Sequence, residues 1–254
     1  MADKKEPEVQ GNKLSRRNFL KNAGLTVGGL AIGTGIGSVL TGGTKEKEVV
    51  KSVESDSTNF NKALMFFSQE QFQTVEAATE QIFPKTDKGP GAKELLVAYY
   101  IDHQLAGSWG LNTKAYMQGP FYDKEAGGKF GHQTHLNRQE VFALGVNLLI
   151  TESMKQHKKK FQQLDALQQI EILRAVEANE VTWNAATTPS YFFKLLRTAT
   201  IEGAYADPLY GGNKDMAGWK MKNFPGHQMS YLDIIEKDEF VKIEPQSLTS
   251  QHKH

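Results

Sequence analysis

The sequence predicts an all-α protein, an irregular helical domain of about five main helices joined by long ordered loops. Apolar residues recur at helical spacing in five segments, and three of these segments begin with a recognisable N-terminal cap. No segment shows the alternation of apolar and polar residues that a half-buried strand would have. The predicted domain follows an N-terminal signal segment and a linker.

The first two helices are predicted between residues 68 and 105. Ser68 and Gln71 form a capping-box pattern, and Pro84 ends the helix that follows. The residues at helical spacing in this helix are Phe72, Val75, Ala78 or Thr79, and Ile82. After a turn, a second helix is predicted from about Ala92 to Leu105. Its predicted stripe comprises Leu96, Tyr99, Tyr100 and His103.

Three further helices are predicted beyond a loop over residues 107–135. One runs from Arg138 to about Lys158, one follows a cap at Asp165, and the last opens at Thr188-Pro189. The positions at helical spacing are, in order, Val141, Leu144, Leu148 and Glu152; Leu167, Ile170, Leu173 and Val176; and Phe192, Leu195, Leu196 and Ala199.

Composition and charge exclude several classes of protein. The chain has 254 residues and a formal net charge of +1, so it lacks the basic footprint of a nucleic-acid-binding domain. The absence of cysteine excludes disulfides, Cys-ligated zinc, iron–sulfur clusters and a C-x-x-C-H haem attachment site. We therefore expect no nucleic-acid partner and none of these centres in the chain.

Residues 1–43 are interpreted as a twin-arginine export signal. Arg16 and Arg17 precede Phe19, Leu20 and a stretch without charge, which is the order of such a signal. The apolar segment 23–40 contains six glycines and is weakly hydrophobic for a spanning helix. No A-x-A cleavage site follows it, so a retained membrane anchor remains an alternative to removal. Residues 44–63 form a polar linker.

A dinucleotide-binding loop is an alternative interpretation of this leader, because Gly33, Gly35 and Gly37 follow an apolar run. That fingerprint requires a strand before it, a helix after it and an acidic residue about 20 positions further on. Here a twin arginine precedes the glycines and a polar linker follows them, which favours the export signal.

Residues 201–226 are predicted to form one long ordered loop around which the domain is organised. The segment is rich in Gly, Asn, Asp and Pro, which interrupt helices and strands, yet it carries four aromatic residues that a disordered linker would not need. Gly211, Gly212 and Asn213 are of the types that adopt positive φ most readily. The residues expected to shape the loop or to face a partner are Asp207, Pro208, Tyr210, Gly211, Gly212, Asn213, Trp219, Pro225 and Gly226.

This segment resembles the signature of the gluconate 2-dehydrogenase subunit 3 family. The matching pattern is E-G-x-Y-x-D-P-x-Y-G-G-N-x-D-x-x-G-W over residues 202–219, followed by F-P-G at 224–226. Two upstream blocks also match in order and spacing, so the resemblance extends from about Phe66 to Gly226. Those blocks are Ile82-Phe83-Pro84, Gly89-Pro90-Gly91-Ala92 and Tyr100-Ile101-Asp102 with Leu105; and Tyr116 with Gly119-Pro120.

The resemblance implies a small, non-catalytic accessory subunit of a membrane-associated, FAD-dependent sugar or polyol dehydrogenase. In this family the subunit is thought to help its catalytic partner mature and cross the membrane. FAD is then expected in the large partner subunit, with no cofactor, metal or catalytic residue in this chain. The twin-arginine translocase is a second expected partner, and a cytochrome subunit is left open. The expected location is the outer side of the cytoplasmic membrane. Within the chain, the helical domain is expected at residues 64–230 and a C-terminal tail at residues 231–254.

The alternative is a stand-alone exported enzyme or binding protein that uses the 201–226 segment. Glu202, Asp207 and Asp215 could then serve as a general acid and base, provided that they converge on one atom. Asp in loops also accepts backbone N–H bonds within its own turn, which requires no catalysis. The aromatic residues of the segment could stack on a ligand, fill a core beneath the loop or anchor an interface.

Two histidine patterns are weaker candidates for a metal site. His132 and His135 have a separation found in metal sites, and Asp102-His103 is another pair. Zinc requires three or four ligands, and no third ligand has a convincing spacing. We therefore interpret His132 and His135 as surface residues of a polar loop.

Overall fold

The computed structural model describes residues 62–122 and 131–249, and these contain six α-helices and no β-strand. The helices are α1 (Gln69–Ile82), α2 (Val97–Ala106), α3 (Arg138–His157), α4 (Ala166–Glu177), α5 (Pro189–Tyr205) and α6 (Ala217–Lys222). The all-α prediction is therefore confirmed. The export signal predicted at residues 1–43 and most of the linker lie outside the described residues.

Helix α5 lies at the centre of the domain and contacts each of the other five helices of the described ranges. Phe192 and Leu196 of α5 are fully buried. The Phe192 ring packs edge-on against Phe142 of α3, with 5.7 Å between the ring centroids. Gly145 of α3 faces the same ring so closely that a Cβ atom would overlap it. The core is thus built around α5, whose C-terminal end leads into the signature segment.

The predicted helix starts are largely confirmed, because their signals are local. Ser68 caps α1 and Asp165 caps α4, each in a reciprocal capping box with the residue three positions on. Thr188 caps α5, and Pro189 occupies its first turn. Helix α3 begins at Arg138 as predicted, and its capping box, Asn137 with Glu140, was not anticipated.

The predicted start of the second helix is wrong by five residues. Residues 92–96 form consecutive turns, and α2 begins at Val97 after Leu96, which has a left-handed φ of 60°. This backbone reversal places both Leu95 and Val97 in the core. The predicted stripe is only partly buried, because another face of α2 is turned to the core. The partly buried stripe comprises Leu96, Tyr99, Tyr100 and His103, and the buried face carries Ala98, Ile101, Asp102 and Leu105.

Two residues placed on predicted apolar faces are exposed. Leu144 of α3 is 40% exposed, and Leu167 in the first turn of α4 is 80% exposed. The buried residues beside them are Phe142 and Leu149 in α3 and Ile172 in α4. Helical spacing identified these helices correctly but assigned part of their inner faces to the wrong positions. None of the helices in the described ranges is both long and apolar enough to span a membrane.

Candidate functional site

The signature segment at 201–226 is more helical than its composition predicts. Helix α5 continues to Tyr205, residues Pro208–Tyr210 and Lys214–Met216 form single 3-10 turns, and α6 follows. The prediction of one loop throughout is therefore wrong. Helix α5 continues because no proline occurs before Pro208, and the glycine inside it, Gly203, lies where Tyr100 and Val97 pack closely against the backbone.

Asn213 holds the two ends of this segment together. It is fully buried, with a left-handed φ of 46°. Its side-chain Nδ2 donates to the carbonyl of Ala206, 2.8 Å away, just after α5. Its Oδ1 accepts from the backbone N–H of Gly218 in α6, at 2.7 Å. One amide therefore links the end of α5 to the start of α6.

The two adjacent glycines meet different requirements. Gly211 has a φ of 102°, and its backbone lies against His103 of α2. Gly212 does not have positive φ, although it is of a residue type that adopts this conformation readily. A Cβ atom at Gly212 would instead overlap the carbonyl of Gly203 in α5. Glycine is required at 212 for close packing rather than for a left-handed backbone.

Trp219 forms the core beneath the segment. It is 6% exposed, and its Nε1 donates to the carbonyl of Tyr205 at 2.7 Å. Phe224 packs edge-on against its ring, with centroids 5.4 Å apart, and Gly226 leaves no room for a side chain beside it. Of the alternatives for the aromatic residues, the core position holds for Trp219, which shapes the segment from inside.

Asp207 is committed to structure through both carboxylate oxygens. Its Oδ1 accepts from the backbone N–H of Leu209 at 2.9 Å and from the Ser247 hydroxyl at 2.7 Å. Its Oδ2 accepts from the backbone N–H of Leu248 at 2.9 Å. Asp207 therefore accepts within its own turn, as Asp does in loops, and also holds a segment some 40 residues away. Pro208 begins the 3-10 turn that Asp207 caps.

Pro225 and Gly226 pair with the chain near its C-terminal end. The N–H of Gln246 donates to the Pro225 carbonyl at 3.1 Å, and the N–H of His227 donates to the Gln246 carbonyl at 2.7 Å. Gly226 has a φ of 67° at this crossing. Residues 246–248, which the sequence placed in a C-terminal tail, thus pack against the signature segment.

Several residues of the signature segment line an open cleft of about 500 Å³ between α2 and the end of α5. Its lining residues are Tyr100, Gln104, Ile201, Glu202, Tyr205, Ala206, Asp207 and Tyr210. We call this the tyrosine cleft. Ile201 is 47% exposed and Tyr210 is 48% exposed. Asp215, by contrast, is exposed and is not among the residues that line the cleft.

The electrostatics of the tyrosine cleft suit recognition by hydrogen bonds. Burial, and then the neighbouring Glu202 and Tyr210, raise the pKa of Tyr100 to about 12. Tyr100 therefore remains a neutral phenol that can donate a hydrogen bond at physiological pH. Burial also raises the pKa of Glu202, while Arg138 opposes this shift. The cleft combines aromatic surface with a phenolic donor and a carboxylate at its rim.

Of the two histidines interpreted as surface residues, His135 is exposed, whereas His132 is half-buried and packs against the fold. His132 stacks on Tyr191 of α5, with ring centroids 3.6 Å apart, and its Nε2 forms a 2.8 Å hydrogen bond with the Thr187 hydroxyl. Burial, and then Lys194, lower the pKa of His132. In residues 62–122 and 131–249 there is no group of three or more His, Cys, Asp or Glu residues that could hold a metal ion.

Asp102 and His103 anchor the first described residues of the domain. Asp102 is fully buried and accepts N–H bonds from Met65 at 2.6 Å, Phe66 at 3.1 Å and Phe67 at 2.7 Å. The His103 Nε2 forms a 2.9 Å hydrogen bond with the Ala63 carbonyl. The sequence gives no signal for these contacts, because the partners lie 35 to 40 residues apart.

The protein thus contains a small all-α domain with a tyrosine cleft, and buried hydrogen bonds hold its signature segment in one shape. Residues 69–226 match the family model described as gluconate 2-dehydrogenase subunit 3. The chain belongs to the gluconate 2-dehydrogenase subunit 3 family, in agreement with the resemblance seen in its sequence. Searches of curated proteins and of solved structures gave no match.

Proposed function

We propose that this chain is a non-catalytic small subunit that binds a large FAD-dependent gluconate, sugar or alcohol dehydrogenase subunit and assists its maturation and twin-arginine export. The observation that carries the proposal is the family match over residues 69–226, which includes all six described helices. FAD belongs to the partner subunit in this proposal. The mature complex is placed on the outer side of the cytoplasmic membrane.

The tyrosine cleft is the surface that we assign to the flavoprotein. Glu202, Tyr205, Asp207 and Tyr210 of the family signature all line it. Tyrosine is enriched at protein interfaces, because its ring buries a large apolar area while its hydroxyl keeps a hydrogen-bonding partner. Tyr210 is the anchor that we expect to matter most, since about half of it is exposed and available for burial.

The export route gives the association a physical reason. A twin-arginine signal serves proteins that cross the membrane already folded, and a flavoprotein must fold around its cofactor before it leaves the cytoplasm. Arg16 and Arg17 of this chain would supply the signal for the folded pair. A small subunit with a leader and a partner-binding domain is sufficient for this task.

The stand-alone enzyme is less well supported by the geometry. Both oxygens of Asp207 accept hydrogen bonds from the protein, and Asp215 is not part of the cleft lining. An acid and a base that act on one substrate must converge on it. Of the three carboxylates considered, Glu202 alone lines the cleft without hydrogen bonds that commit both its oxygens to the fold.

Co-expression of the tagged chain with the flavoprotein dehydrogenase of the same genome tests the proposal. We expect a stoichiometric complex that carries flavin absorbance, and no flavin on the chain purified alone. Tyr210→Ala should weaken the complex about tenfold or more, since 1.4 kcal/mol corresponds to one decade of affinity. Tyr122→Ala is the control, because Tyr122 is 56% exposed but does not line the cleft. Stoichiometric flavin on the isolated chain would contradict the accessory role.

A further inference from the structure

Residues 227–246 form a loop that is closed at its base by backbone hydrogen bonds. Its base is the pairing of Pro225 and His227 with Gln246, and Asp207 holds the following residues, Ser247 and Leu248. Within the loop, the N–H groups of Ile234 and Ile235 both donate to the Tyr231 carbonyl, at 3.0 and 2.9 Å. The loop is therefore fixed at both ends and contains an ordered turn. Loops of this length within compact domains are usually either functional or disordered, and the fixed ends and ordered turn favour a function here.

Large apolar side chains of this loop face solvent instead of the core. The exposed fractions are 80% for Met229, 45% for Tyr231, 79% for Leu232, 72% for Ile235 and 93% for Phe240. Burying such a side chain fully is favourable by about 1.5–3 kcal/mol, and the domain gains little of this for the four residues that are 72–93% exposed. Several such residues close together in the chain mark a surface that another molecule covers.

The charge of the loop indicates what that molecule is. Residues 227–246 contain five Asp or Glu and two Lys, a net charge of −3. Asp233, Glu236, Asp238 and Glu239 lie among the exposed apolar residues, so an anionic lipid surface would repel the loop. A protein groove that is apolar inside and bordered by Lys or Arg would complement both features.

We propose that the 227–246 loop is a second contact of this chain with the large flavoprotein subunit, which it enters at an apolar groove with a cationic rim. This inference rests on the proposed function. Asp207 lines the tyrosine cleft and also accepts hydrogen bonds from Ser247 and Leu248, so the base of the loop adjoins the cleft. The loop follows the region that matches the family model, which ends at residue 226.

A loop variant with Leu232→Ser, Ile235→Ser and Phe240→Ser tests this contact in the full-length chain. We expect its Kd for the FAD-loaded flavoprotein to rise about 100-fold or more, because three buried apolar contacts are lost. Its melting temperature should stay unchanged, because all three side chains are exposed. The matched control is Met65→Ser, Leu111→Ser and Leu167→Ser, which changes three residues that are 62%, 51% and 80% exposed elsewhere. The control should bind like the wild type.

The outcomes separate this inference from the proposed function. If the wild-type chain and the loop variant bind the flavoprotein equally well, the loop contact is overturned and the proposed function is not. A wild-type chain that does not bind the flavoprotein overturns both. Two further results would assign the loop to a different occupant and overturn the inference as well. In the first, the wild-type chain self-associates in sedimentation and the loop variant does not. In the second, the wild-type chain binds phosphatidylglycerol vesicles and the loop variant does not.

Discussion

At the scale of single residues, Asp102 illustrates how a buried carboxylate fixes the path of the chain. It accepts three backbone N–H bonds from residues 65–67, which precede α1, although it lies in α2. Asp102 alone therefore satisfies the backbone N–H groups of Met65, Phe66 and Phe67. These bonds also hold Phe67 in the core, where it is 5% exposed. A buried charge is tolerated when hydrogen bonds compensate for its lost hydration.

We predict that Asp102→Asn lowers the free energy of unfolding by about 3 kcal/mol. The amide retains one acceptor oxygen, and its NH₂ group would face a backbone donor, so at least one buried N–H is left unpaired. Urea denaturation of the purified chain measures the change. Asp87→Asn is the control, because Asp87 is an exposed turn residue and should change stability by less than about 0.5 kcal/mol. Equal stability of the two variants would show that the Asp102 hydrogen bonds contribute little.

At the scale of elements, the sequence predicted what is decided locally. The caps at Ser68, Asp165 and Thr188 involve residues within three positions of one another, and the helices begin where they predict. Burial depends on neighbours distant in sequence, which explains the wrong assignment of Leu144 and Leu167 to inner faces.

In the candidate site, too, local features could be predicted from the sequence and tertiary contacts could not. Its signature residues were identified in the sequence, since they form one continuous pattern. Tyr100 and Gln104 of α2 complete the tyrosine cleft. Their position there could not be predicted from the sequence, because it depends on how α2 packs against α5. The close approach of Gly212 to the Gly203 carbonyl is likewise a consequence of tertiary packing.

For the signature segment as an element, we predict that Trp219→Ala costs about 3–5 kcal/mol of stability, since it removes a buried indole. Trp219→Phe should cost less, because it keeps an aromatic ring and loses mainly the hydrogen bond to the Tyr205 carbonyl. Thermal unfolding followed by circular dichroism measures both. Tyr210→Ala, in the same segment but about half exposed, is the control and should leave the melting temperature nearly unchanged. A Trp219→Ala protein as stable as this control would remove Trp219 from the core.

At the scale of the whole molecule, the described domain presents the tyrosine cleft and the 227–246 loop, whose base adjoins the cleft at Asp207. The tyrosine cleft belongs to the family signature, whereas the 227–246 loop follows the matched region. Both are held by Asp207, so a change in the signature segment would be transmitted to the base of the loop. In the proposed complex, the cleft provides one contact with the flavoprotein and the loop provides a second.

In the proposed carrier role, the leader predicted at residues 1–43 determines the location of the partner. We predict that Arg16→Lys with Arg17→Lys leaves both this chain and the flavoprotein in the cytoplasm, because lysine keeps the charge but lacks the planar, multi-donor guanidinium group. Cell fractionation and dehydrogenase activity of intact cells with an impermeant electron acceptor measure the location of the pair. Lys4→Arg with Lys5→Arg is the matched control, since it conserves charge outside the motif and should leave export unchanged. Should the flavoprotein reach the outer side of the membrane while this chain stays behind, it has its own route and the carrier role fails, even if the two proteins still bind.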